Sequence, residues 1–199
     1  VMSRSRGPYL WDPVAGPPPP EALEGADAVV HLAGEWVSLY WTAAAKRRIR
    51  ESRVAGTRNL VEGLRRISAP PRVLVSASAV GFYGDRGEEI LDESSAPGTG
   101  FLPEVSQAWE AEANAASALG IRVVTKRTGV VLHPGGGALA RMLLPFKLGL
   151  GGRLGSGRQW MPWIHLDDQI GLTLFALDTP GLAGPVNAVA PDQIGRAHV

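Results

Sequence analysis

Cysteine is absent from the 199-residue sequence. Its absence excludes disulfide bonds, thiolate nucleophiles and cysteine-ligated metal sites. The histidines offer no replacement, because His31, His133 and His165 lack the paired spacing of a metal site. We therefore predict no metal site. A chain without thiols also fits a reducing compartment, and we expect a cytoplasmic protein.

Long apolar runs and an excess of charge of either sign are missing as well. The richest apolar run, MLLPFKLGLGG at residues 142–152, is interrupted by Pro145, Lys147 and glycines, whereas a bilayer-spanning helix needs about 20 apolar residues. The formal net charge is +1, so we expect neither a nucleic acid nor a membrane as partner. The basic run KRRIR at residues 46–50 is interpreted as a solvated helix face. The oligomeric state is not readable from the sequence.

The phosphate-binding pattern G-x-G-x-x-G after a first strand is also lacking. Gly135–Gly137 and Gly149–Gly157 do not replace it, because neither lies between a strand and its helix in that spacing. The glycines alone therefore identify no cofactor.

What the sequence does contain is a regular alternation of short apolar runs and amphipathic segments. The predicted strands cover residues 27–34, 72–78, 121–132 and 186–189. The predicted helices cover residues 42–67, 103–119 and 138–146, and a fourth is expected to be capped by Asp167. No hairpin signature separates the strands, so this order implies crossover connections and a parallel sheet covered on both faces.

Three segments follow predicted strands: His31–Glu35, Ser76–Tyr83 and Arg127–Val130. In parallel sheets, ligands bind beyond the carboxyl ends of the strands. The small residues in these segments let backbone approach a flat ligand closely, or they simply allow tight packing of a helix on the sheet. Spacing alone leaves both explanations open. His31 itself is predicted to be a packed, hydrogen-bonded histidine rather than a catalyst.

Six segments occur in the order typical of one superfamily. They read DAVVHLAGE, SRVAGTRNLVEGL, VLVSASAVGFYGD, KRTGVVL, GSGRQWMPWIHLDD and GPVNAVAP. On these motifs the chain resembles the NAD(P)-dependent epimerase/dehydratase group of the extended and atypical short-chain dehydrogenase/reductase superfamily. GGGALARMLLPFKLGLGG and PWIHLDD resemble, more narrowly, the subgroup labelled epimerase family protein. The resemblance implies an α/β fold with a Rossmann-like doubly wound parallel sheet.

The resemblance covers residues 1–193 and implies one partial NAD(P)-binding domain with substrate-loop insertions. Family members begin with a strand and a Gly-rich turn, so we expect an incomplete sheet whose first βα unit is missing. A small C-terminal domain is expected to be missing too, which would make the chain a fragment of a longer protein. We interpret Ile194–Val199 as a non-native tail, because IGRAHV can be back-translated into a common sequencing-adapter sequence.

The resemblance also implies a cofactor site. Ser3 and Arg4 match the position beside the adenosine ribose, where an Arg pairs with a 2′-phosphate and an acidic residue with a 2′-hydroxyl. We therefore predict NADP(H) rather than NAD(H); the alternative is that Arg4 is a solvated loop arginine. The predicted cofactor contacts are Ser3, Arg4, Leu32, Ala33, Gly34, Ser76, Ala77, Arg127, Gly129 and Val130.

The catalytic residues of the family are matched only in part. Ser78 matches its active-site serine, whose hydroxyl hydrogen-bonds the reacting substrate oxygen; the alternative is a plain strand terminator. Active members also carry Tyr-x-x-x-Lys, in which the Lys lowers the pKa of the acid/base Tyr. Here Leu102 and Ser106 stand at those two positions. Tyr83 remains as a replacement acid, so Ser78 and Tyr83 are the predicted catalytic residues.

A substrate site is predicted from the loop GSGRQWMPWIHLDD and from the end of the first strand. Trp160 and Trp163 could stack on a planar or sugar ligand, and Arg158 could meet an anionic group. The alternative is that both tryptophans anchor the loop on the core. Glu35 is the fourth predicted substrate contact.

Three functions are compatible with these residues. The favoured one is an NADP(H)-binding, oxidoreductase-like protein of the epimerase/dehydratase family with an unknown substrate. The second is a non-catalytic NADP(H)-binding sensor or scaffold. The third is an active sugar-nucleotide epimerase or reductase that uses Tyr83 as acid/base.

Overall fold

The computed structural model describes residues 1–37, 40–152, 157 and 159–191; the proposed tail lies outside these ranges. The strands are β1 (Met2–Ser3), β2 (Tyr9–Leu10), β3 (Ala28–His31), β4 (Val73–Ala79), β5 (Arg122–Thr128), β6 (Val130–His133), β7 (Trp163–His165) and β8 (Gly184–Ala188). The α-helices are α1 (Ala43–Leu64), α2 (Phe101–Asn114), α3 (Gly137–Lys147) and α4 (Leu166–Asp178). None of the helices in the described ranges combines the length and the apolar character needed to cross a membrane.

All pairs of described strands are parallel. Four strands form a central sheet in the order β3-β4-β5-β8, while β1-β2 and β6-β7 form two separate pairs. Neighbouring strands of the central sheet are connected along the chain through helices, as a parallel pair requires. The prediction of a parallel α/β sheet is confirmed.

The central sheet is covered by helices on both faces. On one face, Leu74 and Val123 pack in a core cluster with Leu60 of α1. On the other face, Val75 packs in a second cluster with Ala176 of α4. Successive side chains of a strand point to opposite faces. Every second residue of β4 from Leu74 onward therefore faces α1 and α2.

Helix α1 begins where the sequence predicts. The hydroxyl oxygen of Thr42 accepts a hydrogen bond from the backbone N–H of Ala45 at 3.2 Å, which satisfies one of the unpaired donors of the first turn. Ile49 is fully buried, whereas Arg47 and Arg50 are exposed. The basic run therefore lies on a solvated helix face, as its interpretation required.

The third predicted strand, residues 121–132, is divided in two at Gly129. Beyond this residue β6 leaves the central sheet and pairs with β7. The chain passes so close to Pro162 that a Cβ on Gly129 would lie 2.7 Å from the Pro162 carbonyl oxygen, and the Val130 N–H donates to that oxygen at 2.8 Å.

The sequence predicted a loop where β7 lies. That prediction is wrong because a strand of 3 residues is too short to show periodicity.

Two helix starts also differ from the prediction. Helix α2 begins at Phe101, ahead of the predicted Pro103. At α4 the capping residue is His165, whose ring Nδ1 accepts a hydrogen bond from the Asp167 N–H at 3.3 Å. Asp167, the predicted cap, lies instead in the first turn, where a carboxylate faces the positive end of the helix dipole.

Candidate functional site

The ends of three neighbouring strands bring Ser78, Arg127 and Asn187 side by side. In the register of the sheet, Ser78 is paired with Arg127, and Arg127 is paired with Asn187. All three alternate in phase with Leu74, so they share the face covered by α1 and α2. Glu110 of α2 contacts Ser78 and Arg127 from that face.

A buried ion pair lies at the centre of this cluster. The Arg127 guanidinium donates from Nε to Glu110 Oε1 and from Nη2 to Glu110 Oε2, both at 2.9 Å. The two side chains are 5% and 9% exposed. Ser78 Oγ donates to Glu110 Oε1 at 2.6 Å. The bidentate geometry and the added hydroxyl give the carboxylate the partners that a buried charge needs.

Tyr83 joins the ion pair through its hydroxyl. This oxygen accepts from Arg127 Nη1 at 3.0 Å and donates to Asn187 Oδ1 at 2.7 Å. The backbone carbonyl of Glu93 accepts from Arg127 Nη1, and Glu93 Oε1 accepts from the Asn187 N–H. Burial acts to lower the pKa of Arg127, but its hydrogen bonds to Glu110 and Tyr83 outweigh burial and raise that pKa. We define the Arg127 network as Ser78, Tyr83, Glu93, Glu110, Arg127 and Asn187.

The Arg127 network contains both predicted catalytic residues, Ser78 and Tyr83. Each is only 4% exposed, and each hydroxyl is engaged by a protein partner. Arg127, a predicted cofactor contact, donates hydrogen bonds from its guanidinium to Glu110 and Tyr83 in this network. The geometry favours a positioning role for Arg127.

Leu102 and Ser106 of α2 are the residues that the resemblance matches to the family's Tyr and Lys. A Cβ on Gly81 would lie 3.3 Å from Leu102 Cβ, and Ser106 is buried. Glu104, on the same turn, is exposed. Neither a phenol nor an amine is therefore presented from this part of α2.

A cavity of about 670 Å³ is lined by residues of β1 and by the segment that follows β3. Five of the predicted cofactor contacts meet there: Ser3, Arg4, Leu32, Ala33 and Gly34. We call it the Arg4 cavity. Glu35, a predicted substrate contact, lines it as well. The structure thus brings together residues that lie far apart in the chain.

The other predicted cofactor contacts are placed elsewhere. Ser76 is fully buried, and its hydroxyl donates to the Ala77 carbonyl at 3.3 Å. Ala77 itself alternates with Ser76 and faces the side of α4. Gly129 packs against Pro162, and Val130 pairs with β7. These four residues belong to the strand ends rather than to the lining of the Arg4 cavity.

The predicted substrate residues beyond Glu35 are not gathered into one site. Trp160 is 49% exposed. Trp163 is half-buried and pairs with Val130 in the sheet, which agrees with the alternative that it anchors the loop. Arg158 lies outside the described residues.

His31 lines the Arg4 cavity as a packed side chain. It is 3% exposed, and its Nε2 lies 2.9 Å from Thr57 Oγ1. Burial lowers the pKa of His31 to about 4, so the ring is neutral at pH 7. This agrees with its prediction as a hydrogen-bonded core histidine.

A second cavity of about 330 Å³ adjoins the first at Gly34 and Glu35. Its wall also contains Arg53 of α1 and Arg141 of α3. We call it the Arg53 cavity. The sequence did not indicate it, because it forms where the loop after β3 meets two helices that are distant in the chain. The remaining lining residues are Trp36, Val37, Gly137 and Ala138.

The strand order, the helices on both faces and a cavity at the carboxyl end of β3 define a Rossmann-like fold. A family model for the NAD dependent epimerase/dehydratase family matches residues 21–188. The chain belongs to this family.

Relatives and solved structures support the assignment. An epimerase family protein of Mycobacterium bovis is 43% identical over 189 residues, which are 94% of this chain and 62% of the relative. The human epimerase family protein SDR39U1 (isoform 2), solved with NADPH, superposes with a TM-score of 0.86 at 35% identity, covering 99% of this chain and 67% of that one. A nucleoside-diphosphate sugar epimerase of Corynebacterium glutamicum gives a TM-score of 0.85 at 41% identity, covering 98% and 41%. The chain therefore spans less than two thirds of the mycobacterial relative.

Proposed function

We propose that the protein binds NADP(H) in the Arg4 cavity and is an oxidoreductase-like member of its family. The observation that carries the proposal is the meeting of Arg4 with the Leu32–Gly34 backbone around one cavity. No acidic residue occurs among Val1–Arg6, where one would favour a ribose 2′-hydroxyl. The human relative solved with NADPH has the same fold at 35% identity and supports this preference.

Each group would act on a different part of the cofactor. The Arg4 guanidinium would pair with the 2′-phosphate, and the backbone of Leu32–Gly34 would lie along the ribose and pyrophosphate. The bound nicotinamide would supply or accept a hydride. The phenol of Tyr83 would hold the proton that moves with it, and its hydrogen bonds with Arg127 and Asn187 would fix the position of the hydroxyl.

A second candidate is a non-catalytic NADP(H)-binding sensor or scaffold. It is favoured by Leu102 and Ser106, which replace the family's Tyr and Lys, and by the burial of Ser78 and Tyr83. The third, an active sugar-nucleotide epimerase or reductase, is favoured by the sugar epimerase of C. glutamicum at 41% identity.

An NADPH titration of the complete protein tests the cofactor proposal. We expect Arg4→Ala to weaken NADPH binding roughly tenfold or more, since a hydrogen bond to a charged group contributes about 1.5–3 kcal/mol. NADH binding should not change. Arg6→Ala is the matched control, because Arg6 is an exposed arginine of the same loop and does not line the cavity. Equal NADPH affinity in Arg4→Ala and wild type would refute the assignment.

A hydride-transfer screen with Tyr83→Phe separates the three candidates. Turnover that is lost in Tyr83→Phe, with NADPH affinity retained, supports an enzyme. NADPH binding without turnover on any carbonyl or sugar-nucleotide substrate supports the sensor.

A further inference from the structure

The side chain of Arg53 lies close to the Gly34 backbone and to the ring of Trp109 in the wall of the Arg53 cavity. A Cβ on Gly34 would approach the guanidinium carbon to 3.2 Å and both terminal nitrogens to within 3.4 Å. The indole of Trp109 lies with its centroid 5.1 Å from Arg53 Cζ. Gly34 thus makes room for Arg53, and the stacking fixes the orientation of the guanidinium before any ligand arrives.

Most N–H donors of the Arg53 guanidinium have no acceptor among the described residues. Nη1 donates to the Ile49 carbonyl at 3.2 Å, and in the described ranges Arg53 has no other hydrogen bond and no ion pair. Burial lowers the pKa of Arg53, and the nearby charge of Glu35 acts in the opposite direction. A half-buried cation with donors left over is costly unless an acceptor completes it.

A second cation lies in the wall of the same cavity. The Arg141 guanidinium stacks 5.2 Å from the centroid of the Trp36 ring. Glu35 is the one carboxylate among the described lining residues. Two guanidiniums in the wall of a partly enclosed space favour an anion there.

The position of the cavity indicates which anion it would receive. It adjoins the Arg4 cavity at Gly34 and Glu35, whereas Arg4 lines the other cavity only. A ligand in the Arg53 cavity would therefore sit beside a cofactor without occupying the same space.

We propose that the Arg53 cavity receives the carboxylate or phosphate group of the substrate, with Arg53 as its anchor and Arg141 as the second cation. Both groups present paired oxygens that match the fork of a guanidinium. This inference rests on the proposed function, because a bound anion is a substrate only if the cofactor binds in the neighbouring Arg4 cavity. It identifies the substrate class as an anionic small molecule and gives Gly34 a role besides contact with the cofactor.

The experiment measures binding of phenyl phosphate, benzoate and neutral benzyl alcohol to the full chain by ligand-observed NMR, with and without NADPH. We expect at least one anion to bind saturably and benzyl alcohol not to bind. Arg53→Met should weaken anion binding tenfold or more, and Arg53→Lys should weaken it less. Arg47→Met is the matched control: Arg47 lies on α1, is exposed and pairs with Glu51 at the surface, so the variant should bind like wild type.

The two anions distinguish a phosphate site from a carboxylate site. Arg141→Met provides an independent variant if Arg53→Met does not fold. The proposal is overturned if neither anion binds, or if the Arg53 and Arg141 variants bind them as wild type does. It is also overturned if NADPH displaces the anions and Arg53→Met weakens NADPH equally, because Arg53 would then serve the cofactor phosphates. Anion binding that depends on Arg53 without any NADPH binding would refute the cofactor proposal alone.

Discussion

At the scale of single residues, Glu110 and Glu112 show that the burial and the partners of a side chain cannot be predicted from its residue type alone. Both are glutamates of α2, yet Glu110 holds Ser78 and Arg127 in the core while Glu112 pairs with Arg58 at the surface. Ser78, near the end of β4, was assigned to the candidate site through the family resemblance. Glu110 could not be assigned to the site, because its partners lie 32 and 17 residues away and meet it only through the register of the sheet.

The contrast between these two glutamates gives a prediction for stability. Glu110→Gln removes the counterion of a buried guanidinium and leaves its charge unpaired, so we expect the free energy of unfolding to fall by about 3–5 kcal/mol. Glu112→Gln breaks an exposed pair and should cost less than about 1 kcal/mol. Urea denaturation of both variants measures the difference. Equal losses would contradict the central role of the Glu110–Arg127 pair.

His31 gives a prediction for pH. Burial lowers its pKa from 6.5 to about 4 in the folded state, so between these values the unfolded chain binds more protons. The contribution of neutral His31 to the free energy of unfolding is therefore fully present above pH 6.5. It is lost as pH falls towards 4, by up to about 3 kcal/mol. His31→Gln keeps a polar side chain near Thr57 but does not titrate. Its free energy of unfolding, measured in urea from pH 7 to 4, should fall less steeply than that of wild type; parallel curves would refute the assignment.

At the scale of elements, the sequence was most informative where an element is long. The cap at Thr42 and the apolar spacing of α1 could be read directly, as could the buried run of β4. The pairing of β6 with β7 could not, because it depends on the approach of Pro162 to Gly129 in space. A short strand is recognised by the strand with which it pairs, and a single sequence does not indicate which strands pair.

The break at Gly129 gives a prediction for this element. A Cβ there would lie 2.7 Å from the Pro162 carbonyl oxygen and 3.1 Å from Val189 Cγ1, so Gly129→Ala must displace backbone. We expect a loss of about 1–3 kcal/mol in the free energy of unfolding, as for other overpacking changes. Gly181→Ala is the control, since nothing lies within 4 Å of its Cβ. Thermal and urea unfolding of both variants would measure the cost, and similar values would count against a close approach at Gly129.

At the scale of the whole molecule, the Arg4 cavity is bounded by two separate sheets. Ser3 and Arg4 belong to the β1–β2 side, and Leu32–Gly34 follow β3 of the central sheet. Composition and periodicity predicted the layered fold, but they did not bring these segments together. The resemblance to the family did, because its motifs assign both segments to one cofactor.

A ligand that spans both sheets should stabilise the whole fold. With NADPH at about 100 times its dissociation constant, binding to the folded state alone adds about 2.7 kcal/mol to the free energy of unfolding. Urea denaturation with and without NADPH measures this gain. We expect a smaller gain in Arg4→Ala at the same NADPH concentration. Identical curves with and without the cofactor would exclude binding at this site.

The separation of the two sheets also leaves one edge of the central sheet without a partner. Strand β3 pairs with β4 on one side, and in the described ranges no strand pairs with its other edge. Unpaired N–H and C=O groups of an edge strand are a template for a further strand, and Val30 on β3 is 40% exposed. We expect the strand of the first βα unit, which the family resemblance predicts, to extend the sheet at this edge in the complete protein.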